Sequence, residues 1–544
     1  MKRILIFLVF LLLSTQCLIG QKKTTSPKLV VGIVVDQMRY DFLYRFNSLY
    51  SENGFKKLMK DGSNFTFAHF NYIPTYTGPG HASIYTGTTP YYHGIISNNW
   101  YDKVLRKSIY CTSDKNFKTI GANNDNGEMS PKQLLSTTIT DQLKMATNNK
   151  GKVISASIKD RAAILPGGHR PDGAYWYDSK SGNFITSSFY MNDLPDWVKE
   201  FNSRKLPDKY MSTEWDLTYP LEKYWATLPD ERYFEEDLFL EKKTSFPHSF
   251  KFIPEKDKKE ILKSTPYGNE LLYNFAVSAL TNENLGKDEI TDFLAISFSS
   301  TDYIGHSYGP NSVEIEDTYI KLDLIVAKLI NELNKNVGEG NYILFLTADH
   351  GVVENPEYLK EYNISGNWID FNTLNNSLKK YSQKNFNSNV IEKFSNKQIF
   401  LNYELIHTLK LDLSNVRKSF AEYLINTFPF IAQTTTRDKL TNFVASRTSS
   451  NFILNGFNPQ KSGDVILELQ SGYIPGSSDA THVTHGSSYS YDTHIPLLFY
   501  GWNIPSQTIN KPVYIVDVAP TISDLLKITE PSGNIGIPLI SPIK

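Results

Sequence analysis

Short runs of β-branched and apolar residues recur along the chain, and each gives way abruptly to a polar turn. Lys28 to Val35 (KLVVGIVV) stops at Asp36, and Lys152 to Ile158 (KVISASI) stops at Lys159. Phe293 to Phe298 runs into Ser299, Ser300, Thr301 and Asp302, and Tyr342 to Leu346 runs into Thr347, Ala348, Asp349 and His350. His494 to Tyr500 (HIPLLFY) ends at Gly501. Runs this short and this uniformly apolar predict strands buried on both faces. Ser312 to Asn334 predicts a helix. Its Ile320, Leu324, Ile325 and Leu329 recur near the helical period, and Glu314 and Glu316 suit the positive end of the helix dipole. Buried strands alternating with helices predict an α/β fold, a three-layer sandwich around a mainly parallel central sheet. The polar residues past the strand ends then share the edge where open α/β sheets bind ligands.

Two long stretches break this rhythm. Pro166 to about Gly286 is rich in Tyr, Trp, Pro and charge, and Glu354 to about Gly472 is rich in Asn, Lys and Ser. Both are expected to be cap-like insertions (about 166–286 and 354–472) in a single catalytic domain spanning 27–544. A separate C-terminal domain is disfavoured, because HIPLLFY and His485 lie beyond the second insertion.

The first twenty residues read differently. Lys2 and Arg3 precede an unbroken apolar run from Ile4 to Leu13, with small and polar residues after it, the pattern of a secretory signal peptide over 1–20. The run is short for a membrane span, and Thr15 and Gln16 before Cys17 make a poor lipidation box. An exported, periplasmic protein without stable membrane insertion after cleavage is expected. Of the two cysteines, Cys111 is then left without a partner and reads as a packing residue. A formal net charge of −1 over 544 residues excludes a global basic field for nucleic acid, so charge that binds phosphate must be local.

The candidate chemistry lies at the strand ends: Asp36, Asp302, His306, Asp349, His350 and His485. Asp349 and His350 are adjacent, so both reach one site only where the strand ends and turns. Asp302 and His306 are four apart, on one side of a helical turn. Three carboxylates and three imidazoles suit zinc, with manganese or iron as alternatives and calcium disfavoured, and they are enough for two ions once a nucleophile's oxygen is added. The segment PTYTGPGH, Pro74 to His81, offers such an oxygen. A threonine hydroxyl attacks only when a base or metal activates it, and a helix N-terminus there would also favour a phosphate.

In order, strand–Asp36, PTYTGPGH, HGIISNNWYD, SIKDR, STDYIGH, TADHG and THGSSYSYDTHIPLL resemble the alkaline phosphatase superfamily, and more narrowly its PafA-type secreted bacterial phosphatases with a threonine nucleophile. The resemblance runs from about Lys28 to the C-terminus. It implies that Thr77, rather than Thr75, forms the covalent phospho-enzyme and also contacts metal. It implies Asp302, His306 and His485 around one zinc and Asp36, Asp349 and His350 around the other. Asn98, Lys159 and Arg161 would bind the transferred phosphoryl group, which favours monoesters. His485 is chosen over His482 by its spacing to His494, while His81, His93 and His494 are expected to be structural hydrogen-bonders. The activity so implied is hydrolysis of small phosphorylated molecules of broad range by a monomer, with inorganic phosphate released. The alternative is a nucleotide pyrophosphatase or phosphodiesterase. A non-catalytic binding protein would need a broken ligand set, and a sulfatase would need a formylglycine signature that is absent around Thr77.

Overall fold

The computed structural model describes residues 26–477 and 482–540; the expected signal peptide and Cys17 lie outside them. Ten strands form the central sheet. In chain order they are β1 (Leu29–Val35), β2 (Ser63–Phe65), β3 (Thr119–Ile120), β4 (Val153–Ser157), β5 (Gly173–Asp178), β6 (Asn183–Ser187), β7 (Asp292–Phe298), β8 (Tyr342–Thr347), β9 (Leu497–Gly501) and β10 (Gln507–Ile509). Their spatial order is β10-β2-β9-β8-β1-β7-β4-β5-β6-β3. The middle of the sheet, β8-β1-β7-β4-β5, is parallel throughout, and β9 closes antiparallel on β8.

Every side chain of β1, β7 and β8 is buried, which explains why these runs show no polar alternation. The register pairs Val35 with Phe298 and Val34 with Thr347, so these strands end side by side. Asp36, Asp302 and Asp349 therefore emerge at one sheet edge.

Helices cover both faces. Thr77–Thr86 (α1) and Asp160–Gly167 (α2) pack together on one side, and Pro266–Asn282 (α3) and Val313–Asn336 (α5) on the other, with the short Ser300–Tyr308 helix (α4) beside α3 and α5. The Ser312 hydroxyl caps α5 by accepting the Ile315 N–H, so the helix starts where its acidic first turn predicted.

Two stretches depart from the expected pattern. HIPLLFY is not one strand. His494–Ile495 pairs with Ala68–His69, and β9 begins only after Pro496, which has no N–H to give a ladder. Within 166–286, β5 and β6 belong to the central sheet, and the remainder is mostly short helices and turns leading to α3. The stretch 354–472 carries its own antiparallel sheet of Ile391–Ser395, Gln398–Leu401, Val465–Leu469 and Ile431–Thr436. Helices Phe371–Phe386 and Leu413–Thr427 cover it, around a separate apolar core that includes Leu378, Ile399, Phe420 and Leu467.

Candidate active site

Thr77 is the first residue of α1, and all ten residues of that helix are buried. Gly80 lets its first turn press on the end of β8. A Cβ at Gly80 would lie 2.4 Å from the Asp349 carbonyl oxygen and 2.7 Å from the Asp349 Cβ. The Thr77 hydroxyl thereby lies 3.5 Å from His350 Nε2 and accepts from Arg161 Nη2 at 3.3 Å. Thr75, by contrast, turns its hydroxyl to the Ser487 carbonyl at 3.2 Å.

Five of the six expected ligands fall into two groups of three that share His350. Asp302, His350 and His485 each bring a ligand atom within 4.8 Å of the others, and so do Asp36, Asp349 and His350. His350 and His485 stack with ring centres 3.5 Å apart, so the two groups share a wall. His306 belongs to neither group; it reaches Asp302 Oδ1 at 3.2 Å, and His350 stands with Asp302 and His485 where His306 was expected. Three imidazoles are anchored alike. Nδ1 of His306, His350 and His485 donates to the carbonyls of Val483 (2.6 Å), Gly351 (3.0 Å) and Thr75 (2.6 Å). That bond fixes the tautomer and leaves Nε2 facing the carboxylates, the arrangement of metal-ligating histidine.

Burial and charge set the electrostatics. Burial raises the Asp349 carboxyl well above the usual range, and the charge of Asp36 adds to it. Burial would raise Asp302 too, but His306 and Lys159 overcome it and hold that carboxyl well below the usual range. Burial pushes His350 down to about 3, and burial with the neighbouring His350 takes His485 well below its ordinary value. For His306, burial is outweighed by the Asp302 carboxylate, and its value rises. Asp36 Oδ1 and Asp349 Oδ2 are buried with no hydrogen-bond partner. Orphaned carboxylate oxygens beside inward-facing imidazole nitrogens fit divalent cations, and this oxygen-and-nitrogen set fits zinc.

The expected phosphate-binding residues are nearby, in different states. Asn98 Oδ1 accepts the Gly78 N–H at 2.8 Å. Arg161 also donates from Nη1 to the Tyr110 hydroxyl (3.1 Å), while its Nε is buried without a partner. The Lys159 ammonium lies within the same cluster, bridging Asp36 (2.6 Å) and Asp302 (2.5 Å). Two buried carboxylates demand a cation, and Lys159 answers that demand here.

Some contributors escaped sequence reasoning. Gln37, in left-handed backbone at φ 66°, donates Nε2 to Asp302 (2.8 Å) and its backbone N–H to Asp349 (3.2 Å). Its position directly after Asp36 was the only signal. Tyr110 orients Arg161 while donating its own hydroxyl proton to Asp160. The other histidines divide clearly. His482 is exposed, and its carbonyl accepts from the Trp368 indole at 2.9 Å. His93 bonds the Ser83 hydroxyl, and His494 bonds the Thr66 carbonyl. His81 spans the Thr77 carbonyl (2.9 Å) and the Ser297 hydroxyl (2.8 Å). Cys111 is buried and unpaired.

Residues 30–488 match the family model described as type I phosphodiesterase / nucleotide pyrophosphatase. The chain belongs to that family, within the alkaline phosphatase superfamily. Among relatives of this phosphodiesterase-family chain, alkaline phosphatase PhoV of Synechococcus elongatus is 43% identical over 518 residues, covering 94% of this chain and 92% of that protein. Alkaline phosphatase PafA of Elizabethkingia meningoseptica is 40% identical over 530 residues, 97% of each chain. The crystal structure of wild-type PafA superposes with a TM-score of 0.91 at 40% identity, covering 95% of this chain and 99% of that one. A PafA variant with a threonine-to-serine change and alanine at an asparagine, a lysine and an arginine matches at 0.90 and 39% identity, with the same coverage.

Proposed function

We propose that this phosphoric monoester hydrolase is a two-zinc alkaline phosphatase of broad specificity that works through a phospho-threonine on Thr77. The observation that carries the reading is the position of the Thr77 hydroxyl. It starts a buried helix, within 3.5 Å of His350 and in reach of Arg161, beside both ligand groups.

Asp302, His306 and His485 would hold one zinc, and Asp36, Asp349 and His350 the other, with Thr77 as a further donor. When bound, the zinc ions would supply Lewis-acid charge that makes the threonine hydroxyl nucleophilic and offsets charge on the leaving oxygen. The Thr77 oxygen attacks phosphorus as the bond to the leaving alcohol breaks. Water then attacks the phospho-threonine, the Thr77 oxygen departs, and inorganic phosphate is released. Asn98 holds its carbonyl on Gly78, so its NH2 is the donor left for a phosphoryl oxygen. Arg161 offers Nε and Nη2. With zinc held by Asp36 and Asp302, Lys159 would supply a second cation for the phosphoryl group beside Arg161. A threonine, an asparagine, a lysine and an arginine are also the residue types altered together in the PafA variant, which supports this quartet.

A monoester dianion carries one more charged oxygen than a diester, and two cations reward that oxygen. This supports monoesterase over the pyrophosphatase or phosphodiesterase alternative. We further read 27–544 as a single catalytic domain with inserted segments between β6 and α3 and at about 354–472, exported behind a cleaved leader at 1–20 to the periplasm, acting as a monomer on small phosphorylated molecules. Among the described residues, no helix is long and apolar enough to cross a membrane.

The test is turnover of an aryl phosphate against its methyl diester in zinc, by wild type and by Thr77→Ala. Wild type should prefer the monoester, and Thr77→Ala should lose more than about a thousandfold, the scale of losing a nucleophile. A wild-type preference for the diester would refute the reading.

A further inference from the structure

The stretch 354–472 reads from composition as decoration, yet one of its hairpins reaches the active-site loops. Strands Ile391–Ser395 and Gln398–Leu401 pair with Ser395 opposite Gln398, so their turn is only Asn396 and Lys397. Both residues have left-handed backbone, φ 52° and 59°. Such two-residue turns favour asparagine first and glycine second. Here the second position is a lysine, Lys397.

The Lys397 side chain turns inward. The residue is 7% exposed, and Nζ donates to the Gly486 carbonyl at 2.7 Å. No carboxylate lies within ion-pair distance of it among the described residues. Gly486 follows the ligand His485 directly and sits in left-handed backbone (φ 109°), where a Cβ would come within 2.5 Å of the Tyr76 ring. Two nearby acids hold the same loop. Glu468, from the inserted sheet, accepts the Ser488 N–H at 2.9 Å, and Asp492 accepts the Ser487 N–H at 2.7 Å. The other turn residue works in parallel, since the Asn396 amide donates to the Asn99 carbonyl, next to Asn98. The hairpin tip thus grips the loop that bears a ligand and the loop that bears a phosphate donor.

We propose that Lys397 is a positioning residue for the active site. Through Gly486 it fixes His485 against the Thr75 carbonyl, so the inserted region is part of the catalytic apparatus. This rests on the reading of His485 as a zinc ligand. Removing an outer partner of a metal ligand typically lowers metal affinity or activity by about 10–100-fold.

Two variants of the full zinc-loaded chain test it. Lys397→Met keeps most of the side chain without a donor, and Lys397→Gly suits the left-handed turn and also lacks the amine. Zinc retention against a graded chelator, kcat and KM for an aryl phosphate, and melting temperature are measured for both. Lys418→Met, on the exposed face of the same region, is the control. Both variants should melt as cooperative folds, release zinc at about tenfold lower chelator, and lose about tenfold or more in kcat, with Lys397→Arg recovering part of both. Wild-type zinc retention and kcat in either folded variant overturns the proposal, as does a lowered melting temperature with zinc retention unchanged. If wild type binds no zinc or turns over no monoester, the underlying functional reading fails instead, and the two failures are distinguishable.

Discussion

Arg161→Ala probes the charge discrimination most directly. The guanidinium holds the Thr77 hydroxyl at 3.3 Å and the Tyr110 hydroxyl at 3.1 Å, and its Nε is buried without an acceptor. A buried unpaired donor is costly to leave unmet, and a phosphoryl oxygen at the Thr77 oxygen would meet it. One additional unit charge about 4 Å from the guanidinium is worth about 4 kcal/mol at an effective dielectric near 20. Water replaces part of that when the side chain is removed, which leaves about 1.5–3 kcal/mol for a charge-assisted hydrogen bond. That converts to about 10–150-fold in rate. The loss should fall on the dianionic monoester, while a methyl diester of the same leaving group should change by roughly threefold or less, since it lacks the second charge. The assay is kcat/KM for both substrates with wild type and variant at equal zinc occupancy, with melting temperature as the control for folding. Equal fold-losses on the two substrates would refute the charge argument, and a monoester loss below about threefold would remove Arg161 from the phosphoryl site.

Two further perturbations test packing and buried charge. Gly80→Ala puts a methyl group 2.4 Å from the Asp349 carbonyl oxygen, so it should cost about 1–3 kcal/mol in a urea melt and depress zinc retention, because α1 must back away from the β8 turn. Native stability and zinc retention together would show that the turn yields freely. Glu235, 6% exposed, is raised to about 10 by burial and by the nearby Glu314. A carboxyl raised in the folded state binds a proton that the unfolded chain has released. Its stabilising effect is therefore full below the ordinary value near 4.5 and is lost as pH rises towards about 10. Glu235→Gln should flatten the fall of melting temperature between pH 5 and pH 10, and an unchanged pH slope would rule this group out as its source.

Much of the site was legible because chemistry and periodicity coincide at strand ends. Asp36, Asp302 and Asp349 close runs that could only be buried strands, and a parallel arrangement sends those ends to one edge. The division into two ligand groups was implied by the family resemblance alone, and the structure sets His350 rather than His306 with Asp302 and His485. What stayed hidden depends on contacts between distant segments. Gln37 acts through a left-handed backbone, and Tyr110 through a hairpin that leads back to Arg161. Strands β5 and β6 were absorbed into an insertion because their Tyr and Trp content resembled that of the stretch after them. Their place in the sheet is set by pairing with β4, which composition does not encode. The break in HIPLLFY was readable at Pro496.

The ligands are scattered from Asp36 to His485, and the strand beside β8 follows later still, at Leu497–Gly501. A chain emerging from its N-terminus has Asp36 early and must wait for nearly its whole length before the stacked His350–His485 wall can form. Such wide separation couples assembly of the metal pocket to completion of the fold. A growing or truncated chain that ends before His485 carries Asp36, Asp349 and His350 but lacks the residue that completes the group with Asp302. On the two-zinc reading, the pocket would be complete only after His485 had joined Asp302 and His350 and the late strand Leu497–Gly501 had closed on β8.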